Sequence, residues 1–475
     1  MKAKIIALAV AIGVSIGPAT AQAAPEPTAQ TIDDYLTRAL ESTDLPGFSV
    51  VVTKDDRIVH AAGYGHDSDG RPVTADTPMR VASVSKSFTA MAVMTLADAG
   101  KIALDRPVAE QLPGFGMADP RFRAVTVRQL LNQTSGFSDR TIDINALEDS
   151  GSLAEYTSRL STGSLAAEPG THWEYCNVNY DLAARLVEVA SGQAFDDYLR
   201  QHVFAPLGMS RSAVRGDVLR PADGYNSLFG VWISRPELPG FLDGSGGGGV
   251  ITTAADMGKW LITQGGHGRQ LVAPESLQAM HSPSDVHEYG MGWGVEKPTD
   301  GPERLVHDGN LFTYAATEMV IPETGYGFAV MTNNASLNGD YYDILTGLVA
   351  LSEGKTPETP GGVRQQFELV LGLIGLAAAG LGVLGAVRSR RWAAKRAGRP
   401  AWRIALRLVP VLIPVAVFLA YPSLISFISN GRTVTWAQMT YFPLPLTVVL
   451  LAAALAGLST AAFRLLRLRA VRSAG

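Results

Sequence analysis

Ser83-Val-Ser-Lys86 sets a hydroxyl and an ammonium three residues apart, a spacing that on a helix puts both on one face, one turn apart. A serine hydroxyl becomes a useful nucleophile only when a base takes its proton, and a partly desolvated lysine with a lowered pKa can do so. The spacing also arises by chance: Ser352-Glu-Gly-Lys355 repeats it in a polar stretch with no apolar helix pattern behind it. Tyr175-Cys-Asn177 follows Gly170-Thr-His-Trp-Glu174. A tyrosine on a rigid turn can shuttle the serine proton beside a cation, and an asparagine amide can orient a substrate carbonyl. Taken alone, the same three residues read as a surface turn with a core tyrosine. His307-Asp-Gly309 ends a predicted strand. Glycine there lets a substrate lie close, and the backbone N–H of Asn310 could join that of Ser83 in an oxyanion hole. A lone histidine at a strand end also has a purely structural reading.

These groups need elements to hold them. From Val84 to Ala99 the residues Val84, Phe88, Met91, Ala92 and Leu96 predict a mostly apolar helix that stops at Gly100. A second helix is predicted from Tyr180 to Val189. A third, from Thr31 to Leu40, has Thr31 as its cap, Asp33 and Asp34 in its first turn, and Ile32, Tyr35 and Leu36 on one face. Gly47 to Thr53 and Arg57 to Gly65, joined by Lys54-Asp-Asp56, predict a hairpin. Late strands are predicted at Arg304–His307, Tyr314–Ile321 and Gly325–Thr332. Helices cluster in the middle and strands at both ends, so the two ends are expected to share one antiparallel sheet. Pro357-Glu-Thr-Pro-Gly-Gly362 reads as a linker to the C-terminal segment.

The C-terminal segment is built for lipid. The 475-residue chain is 47% hydrophobic with a formal net charge of −4, but that charge averages two unlike parts. From Arg364 onward there are 14 Lys and Arg and one acid, Glu368, which leaves 26 basic and 43 acidic residues before it. Three apolar runs, near 367–387, 408–428 and 441–463, are each long enough to cross a bilayer as a helix. Prolines 410, 414, 443 and 445 are tolerated in membrane helices. Eight Arg and Lys separate the first two runs and four Arg come after the third, whereas the loop between the second and third holds only Arg432. Basic loops stay in the cytoplasm, so the expected topology is multi-pass in the cell membrane, with the C-terminus inside and the N-terminal domain outside. Lys2, Lys4, the apolar stretch Ile5–Gly17 and Ala21-Gln-Ala23 read as a signal peptide over residues 1–23. The expected units are thus an exported domain over 24–354, a linker over 355–366 and a membrane region over 367–475. The single cysteine, Cys176, cannot form an internal bridge. No H-E-x-x-H spacing marks a zinc hydrolase, and the basic loops carry no nucleic-acid-binding motif.

Taken together and in order, S-x-x-K, Y-x-N and H-x-G resemble the three elements of the serine β-lactamase and penicillin-binding-protein superfamily. The likeness is closest to the class C β-lactamase-like branch, which also holds D-alanyl-D-alanine carboxypeptidases, D-aminopeptidases and esterases. Supporting stretches are Arg80–Lys86, Val127–Gly136, Glu174–Tyr180, Val203–Met209, Gly246–Asp256 and Tyr289–Trp293, so the resemblance spans roughly residues 30–350. It implies an α/β (α+β) β-lactamase/transpeptidase-like fold, an antiparallel sheet flanked by helices plus a helical subdomain, here followed by three transmembrane helices. It implies an acyl-enzyme on Ser83, proton transfer by Lys86 and Tyr175, substrate contacts from Asn177, His307 and Gly309, and an oxyanion hole from Ser83 and Asn310, with neither metal nor cofactor. The implied substrates are D-amino-acid peptides, β-lactams or small esters. Cys176 is expected to border the site. Gly244–Gly249 is expected to be a turn before a helix capped by Thr253 and Asp256. Two departures stand out. His307 replaces the lysine usual in β-lactamases and attracts a carboxylate less, which favours a peptidase, amidase or esterase. Asn132 replaces a usual histidine and is read as a packing position. The competing expectation is a penicillin- or peptide-binding sensor that turns over slowly or not at all.

Overall fold

The structure is a computed structural model that describes residues 26–299, 301–429 and 431–473; the expected signal peptide lies outside the described residues. Helix α1 (Ala29–Thr43) starts earlier than its pattern predicts. Thr28, not Thr31, caps it: the Thr28 backbone is extended, and its hydroxyl accepts the N–H of Thr31 at 3.1 Å. Strands β1 (Gly47–Lys54) and β2 (Arg57–Gly65) form the expected hairpin. Helix α2 (Ser85–Asp98) comes after a single 3₁₀ turn, Ala82–Val84. Helices α3 (Val178–Ser191) and α4 (Ala254–Gln264) come next. Strands β3 (Gly294–Glu296), β4 (Arg304–Asn310), β5 (Ala315–Ile321) and β6 (Tyr326–Thr332) precede helix α5 (Asp340–Ser352).

The strands form one six-stranded antiparallel sheet in the order β2-β1-β6-β5-β4-β3, so the two ends of the domain do share a sheet. Val50 pairs with Ala62 on one side and Val330 on the other. Alternation along the strands sends side chains to two cores. One face packs against α1 and α5 through Ile32, Leu36, Phe48, Val330, Ile344 and Leu348. The other meets α2, α4 and the helical part through Val51, Phe88, Trp260, Leu261 and Met331. The rings of Phe88 and Trp260 stack at 4.1 Å. Each such buried side chain contributes about 1.5–3 kcal/mol, which is why α2 stays put under its catalytically suggestive first turn.

Three local expectations change. The Thr253 hydroxyl accepts the N–H of Asp256 at 3.2 Å, but the Asp256 carboxylate turns away to Arg211 and Ser212, so the capping box is half made. Ser352 is the last residue of α5 and donates to the carbonyl of Val349, so the second Ser-x-x-Lys does begin on a helix end, with Lys355 beyond it paired to Glu353. Strand β4 continues past His307 to Asn310.

The membrane region holds α6 (Val363–Val387), α7 (Ala401–Leu419), α8 (Tyr421–Ile428) and α9 (Leu444–Ser473); α6, α7 and α9 are long and apolar enough to cross a bilayer. Pro410 and Pro414 lie inside α7, and the second apolar run breaks at Ala420 just before Tyr421-Pro422. Helix α6 begins before its apolar run because Arg364 is seated in the soluble domain. That guanidinium is 1% exposed, donating to Asp340 at 3.0 Å, Ser227 at 3.1 Å and the carbonyl of Thr43 at 2.5 Å. At the far end of the bundle Arg472 donates to the carbonyls of Ala397 and Arg399. At the near end Arg235 donates to the carbonyl of Thr440 and stacks 3.6 Å over the Tyr441 ring.

Candidate active site

Ser83 sits in the 3₁₀ turn immediately before α2, and Lys86 in the first turn of that helix, so the spacing acts as the sequence predicts. Ala82 has φ 50°, a left-handed conformation that costs about 1–3 kcal/mol without glycine, immediately before Ser83. The Lys86 side chain is fully buried, and its ammonium donates to Ser83 Oγ at 3.0 Å, Asn177 Oδ1 at 2.9 Å and the Gly247 carbonyl at 2.7 Å. Three acceptors therefore hold Lys86 beside Ser83. The Tyr175 ring lies 4.9 Å below the same ammonium. Because Asn177 Oδ1 accepts from Lys86, its amide N–H₂ points away from that ammonium, and Asn177 lines two cavities.

The second motif is held by the Val127–Gly136 stretch. Gln133 Oε1 accepts the backbone N–H of Cys176 at 3.1 Å and the side-chain amide of Asn179 at 2.6 Å. Asn132 beside it is partly exposed rather than packed; its Oδ1 accepts the Thr134 hydroxyl at 2.7 Å and so shapes the turn. Cys176 lies next to the site in sequence but is fully buried, lines neither cavity, and donates its thiol to Asp139 at 3.4 Å. Burial pushes that thiol well above its ordinary range, which keeps it unreactive. Gly247 is placed by Asp181, whose Oδ1 accepts the Ser245 hydroxyl at 2.7 Å and the Gly247 N–H at 3.2 Å. Burial raises the Asp181 carboxyl above the usual range.

Strand β4 brings in the third motif. Gly309 lies where a β-carbon would overlap the Val81 carbonyl and stand 2.9 Å from the Ser83 nitrogen, so only glycine seats the strand against the turn that carries Ser83. His307 is buried, and both its ring nitrogens are engaged. Nδ1 meets the Asp308 carbonyl at 2.8 Å and must donate, so Nε2 accepts the Tyr289 hydroxyl at 2.9 Å. Burial first, and the Lys86 charge second, push its pKa down to about 3, so it is neutral. Asn310 Nδ2 donates to the Tyr341 hydroxyl at 3.1 Å.

Two cavities, about 380 and 580 Å³, meet at this point, and Ser83, Asn177, Asn310 and Arg432 line both. All seven sequence-predicted residues thus converge, although they come from three segments of the chain. Three further contributors escape sequence reasoning. Gly247 and Tyr289 fall inside stretches that carry only family likeness, and Arg432 carries only a topology signal. Among the described residues no cluster of His, Cys, Asp and Glu could hold a metal ion.

The domain that carries this arrangement is similar to known proteins. The chain is 31% identical over 345 residues to penicillin-binding protein 4 of Amycolatopsis lactamdurans, covering 66% of this chain and 88% of that protein. It is 28% identical over 327 residues to protein flp of Staphylococcus aureus strain MW2, a match that spans 66% of this chain and 64% of that protein. The structure superposes on the penicillin-binding protein of Bacillus halodurans with a TM-score of 0.57 at 25% identity, covering 67% of this chain and 99% of that one. The Beta-lactamase family profile matches residues 32–349, nearly the whole domain that carries Ser83, Lys86, Tyr175 and His307. With its sheet, its helices and its three apolar C-terminal helices, the chain belongs to the Beta-lactamase family of penicillin-binding-protein-like hydrolase domains, here joined to a candidate membrane anchor.

Proposed function

We propose that the chain is a membrane-anchored serine hydrolase working outside the cell through an acyl-enzyme on Ser83, a peptidase, amidase or esterase related to the β-lactamases. The observation that carries this reading is the Lys86 ammonium, fully buried and 3.0 Å from Ser83 Oγ, with Asn177 on its other side. Ser83 Oγ forms a bond to the substrate carbonyl carbon. Its proton passes by way of Lys86 and Tyr175 to the leaving nitrogen or oxygen as the scissile bond breaks. The backbone N–H groups of Ser83 and Asn310 hold the oxyanion, and a good donor of this kind contributes roughly 3–4 kcal/mol. Asn177 holds the substrate amide. Water then adds to the ester, giving the free acid and restoring the serine hydroxyl.

The anchoring part of the reading assigns residues 24–354 to the exported domain, 355–366 to the connection and 367–475 to the membrane. Its support is that Arg432, Thr440 and Tyr441 lie against the hydrolase domain, while Arg472, Ala397 and Arg399 meet at the opposite end of the bundle. Basic residues at that far end mark the cytoplasmic side.

The test is labelling of the full-length protein with a fluorophosphonate. The wild type is expected to be labelled once, and Ser83→Ala not at all. A Ser83→Ala protein labelled like the wild type would end this reading. Steady release of product from an ester substrate, as opposed to a trapped acyl-serine, separates a hydrolase from a slow-turnover sensor.

A further inference from the structure

His307 stands where an ammonium would attract a substrate carboxylate, and it cannot substitute for one: it is neutral and both its nitrogens are already bonded. Lys86 is buried on three acceptors. Among the described residues lining the two cavities, Arg432 is the one lysine or arginine, and it lines both. It comes from the connection between α8 and α9, in the membrane region, more than a hundred residues beyond His307.

We propose that the stretch from Arg432 to Gln438 is a wall of the active site, and that Arg432 is its anion-binding group, holding a carboxylate of the substrate beside the carbonyl that Ser83 attacks. The assignment rests on the hydrolase reading above and adds to it a specificity-determining residue from outside the family-matched residues 32–349, one that selects acyl compounds with a free carboxylate near the scissile bond over their neutral counterparts.

The guanidinium lies 5.6 Å above the Tyr175 ring, and its Nε is 3.5 Å from Asp139 Oδ2, a loose ion pair. The Arg432 side chain stays 46% exposed, and no shorter contact to an acceptor is made among the described residues. A guanidinium has five N–H donors in a fork that matches a carboxylate, so most of its capacity faces the cavities. The backbone that presents it is held in place. Thr435 and Gln438 close a capping box on the short helix Trp436–Met439, Arg235 stacks on Tyr441, and Phe312 packs against the same ring at 6.0 Å. Thr433, Thr435 and Gln438 continue the wall of the smaller cavity.

Several of the surrounding carboxylates are held by protein donors. Glu237 accepts the N–H groups of Phe312 and Thr313, Glu148 that of Phe241, and Asp181 that of Gly247. Glu288 is paired with Lys297 at 2.9 Å. Walls of that sign repel an anion, so binding one depends on Arg432, the one Lys or Arg among the described residues that line the cavities.

The test uses the detergent-solubilised full-length protein and two acyl thioesters that differ only at one end, a free carboxylate in one and its methyl amide in the other. Thiol release gives kcat and KM, and fluorophosphonate labelling reports the nucleophile independently. Arg432→Gln is expected to lower kcat/KM for the carboxylate thioester by about 10–100-fold, entering mainly through KM, and to leave the amide within about twofold. Arg432→Lys, which keeps the charge without the fork, is expected to recover part of that loss. Equal losses on both thioesters, or no loss on either, would overturn the assignment while intact labelling leaves the hydrolase reading standing. A wild type that fluorophosphonate does not label would remove the hydrolase reading and the Arg432 assignment with it.

Discussion

Gly309 is pressed against Val81, at a place where even a methyl group would overlap the Val81 carbonyl oxygen and reach the Ser83 nitrogen. That contact seats β4 on the turn carrying the nucleophile and sets two stretches more than two hundred residues apart side by side. Gly309→Ala is expected to push the strand off. The overlap should cost about 1–3 kcal/mol of stability. Fluorophosphonate labelling of Ser83 should slow by about a hundredfold or more as the oxyanion donors separate. A thermal melt and a labelling time course measure the two effects, and an unchanged labelling rate would show that close seating is not required.

Lys86 is the hub of the site, and its loss should be felt through Ser83 before anything else. Lys86→Met keeps the apolar stem but removes the donor to Ser83, Asn177 and Gly247. Labelling is expected to fall by about 10²–10⁴-fold. The melting temperature should fall as well, because Asn177 Oδ1 and the Gly247 carbonyl lose a buried partner. Retained labelling at the wild-type rate would remove Lys86 from the chemistry.

Two buried groups on neighbouring strands should bend the stability curve in opposite directions. His307 is held near 3, below its ordinary 6.5, by burial and the Lys86 charge. The unfolded chain therefore takes up this proton first, so its contribution is present above about 6.5 and is lost as pH falls toward 3. Glu318, paired in register with His307 and accepting the Trp260 N–H at 3.0 Å, is pushed far above the usual carboxylate range by burial. Its contribution is present below about 4.5 and is lost as pH rises through its elevated folded value. Melting temperatures from pH 4 to 9 should show His307→Gln flattening the acid limb and Glu318→Gln flattening the opposite one. His281, also lowered by burial to about 4, leaves part of the acid limb in place. Parallel curves for the variants and the wild type would refute the assignment.

The root of α6, the first candidate membrane span, is fastened inside the Beta-lactamase family domain. Arg364 is paired with Asp340 at 3.0 Å, both buried, and its guanidinium lies 4.5 Å over the Trp232 ring. Breaking a buried pair by removing one partner leaves an uncompensated charge, so Arg364→Ala should cost about 3–5 kcal/mol. Arg57→Ala, which breaks the exposed pair with Glu26, should cost no more than about 1 kcal/mol. A thermal melt of the full-length protein compares them, and equal shifts would mean that Arg364 is only superficially attached.

Much of this is legible in the sequence because it is local. Helix α2 and its Ser-x-x-Lys need only the apolar spacing of Val84, Phe88 and Leu96, and the hairpin only its alternation and turn residues. Thr31 mimics the α1 cap because capping depends on which residue turns extended, and Thr28 does so ahead of the point where the apolar stripe begins. Asn132 departs from its expected packing role because its side chain bonds within its own turn. Tyr289 and Gly247 leave no local signal of their role: one caps His307 and the other receives Lys86 only after separate segments fold together.

By itself the sequence marked Ser83 and Lys86 as the candidate catalytic pair, and it held the order of the three motifs, the shared terminal sheet and the three apolar helices. Each depends on spacing along one segment, on hydropathy over about twenty residues, or on charge counted in a loop. Tertiary structure decided what surrounds Ser83. Packing spends both nitrogens of His307, turns Asn177 Oδ1 to Lys86 at the edge of both cavities, and brings Arg432 from the membrane region to the cavities that meet at the serine. Those relations join residues separated by tens to hundreds of positions, and no periodicity records them, because they exist only where independently folded surfaces come into contact.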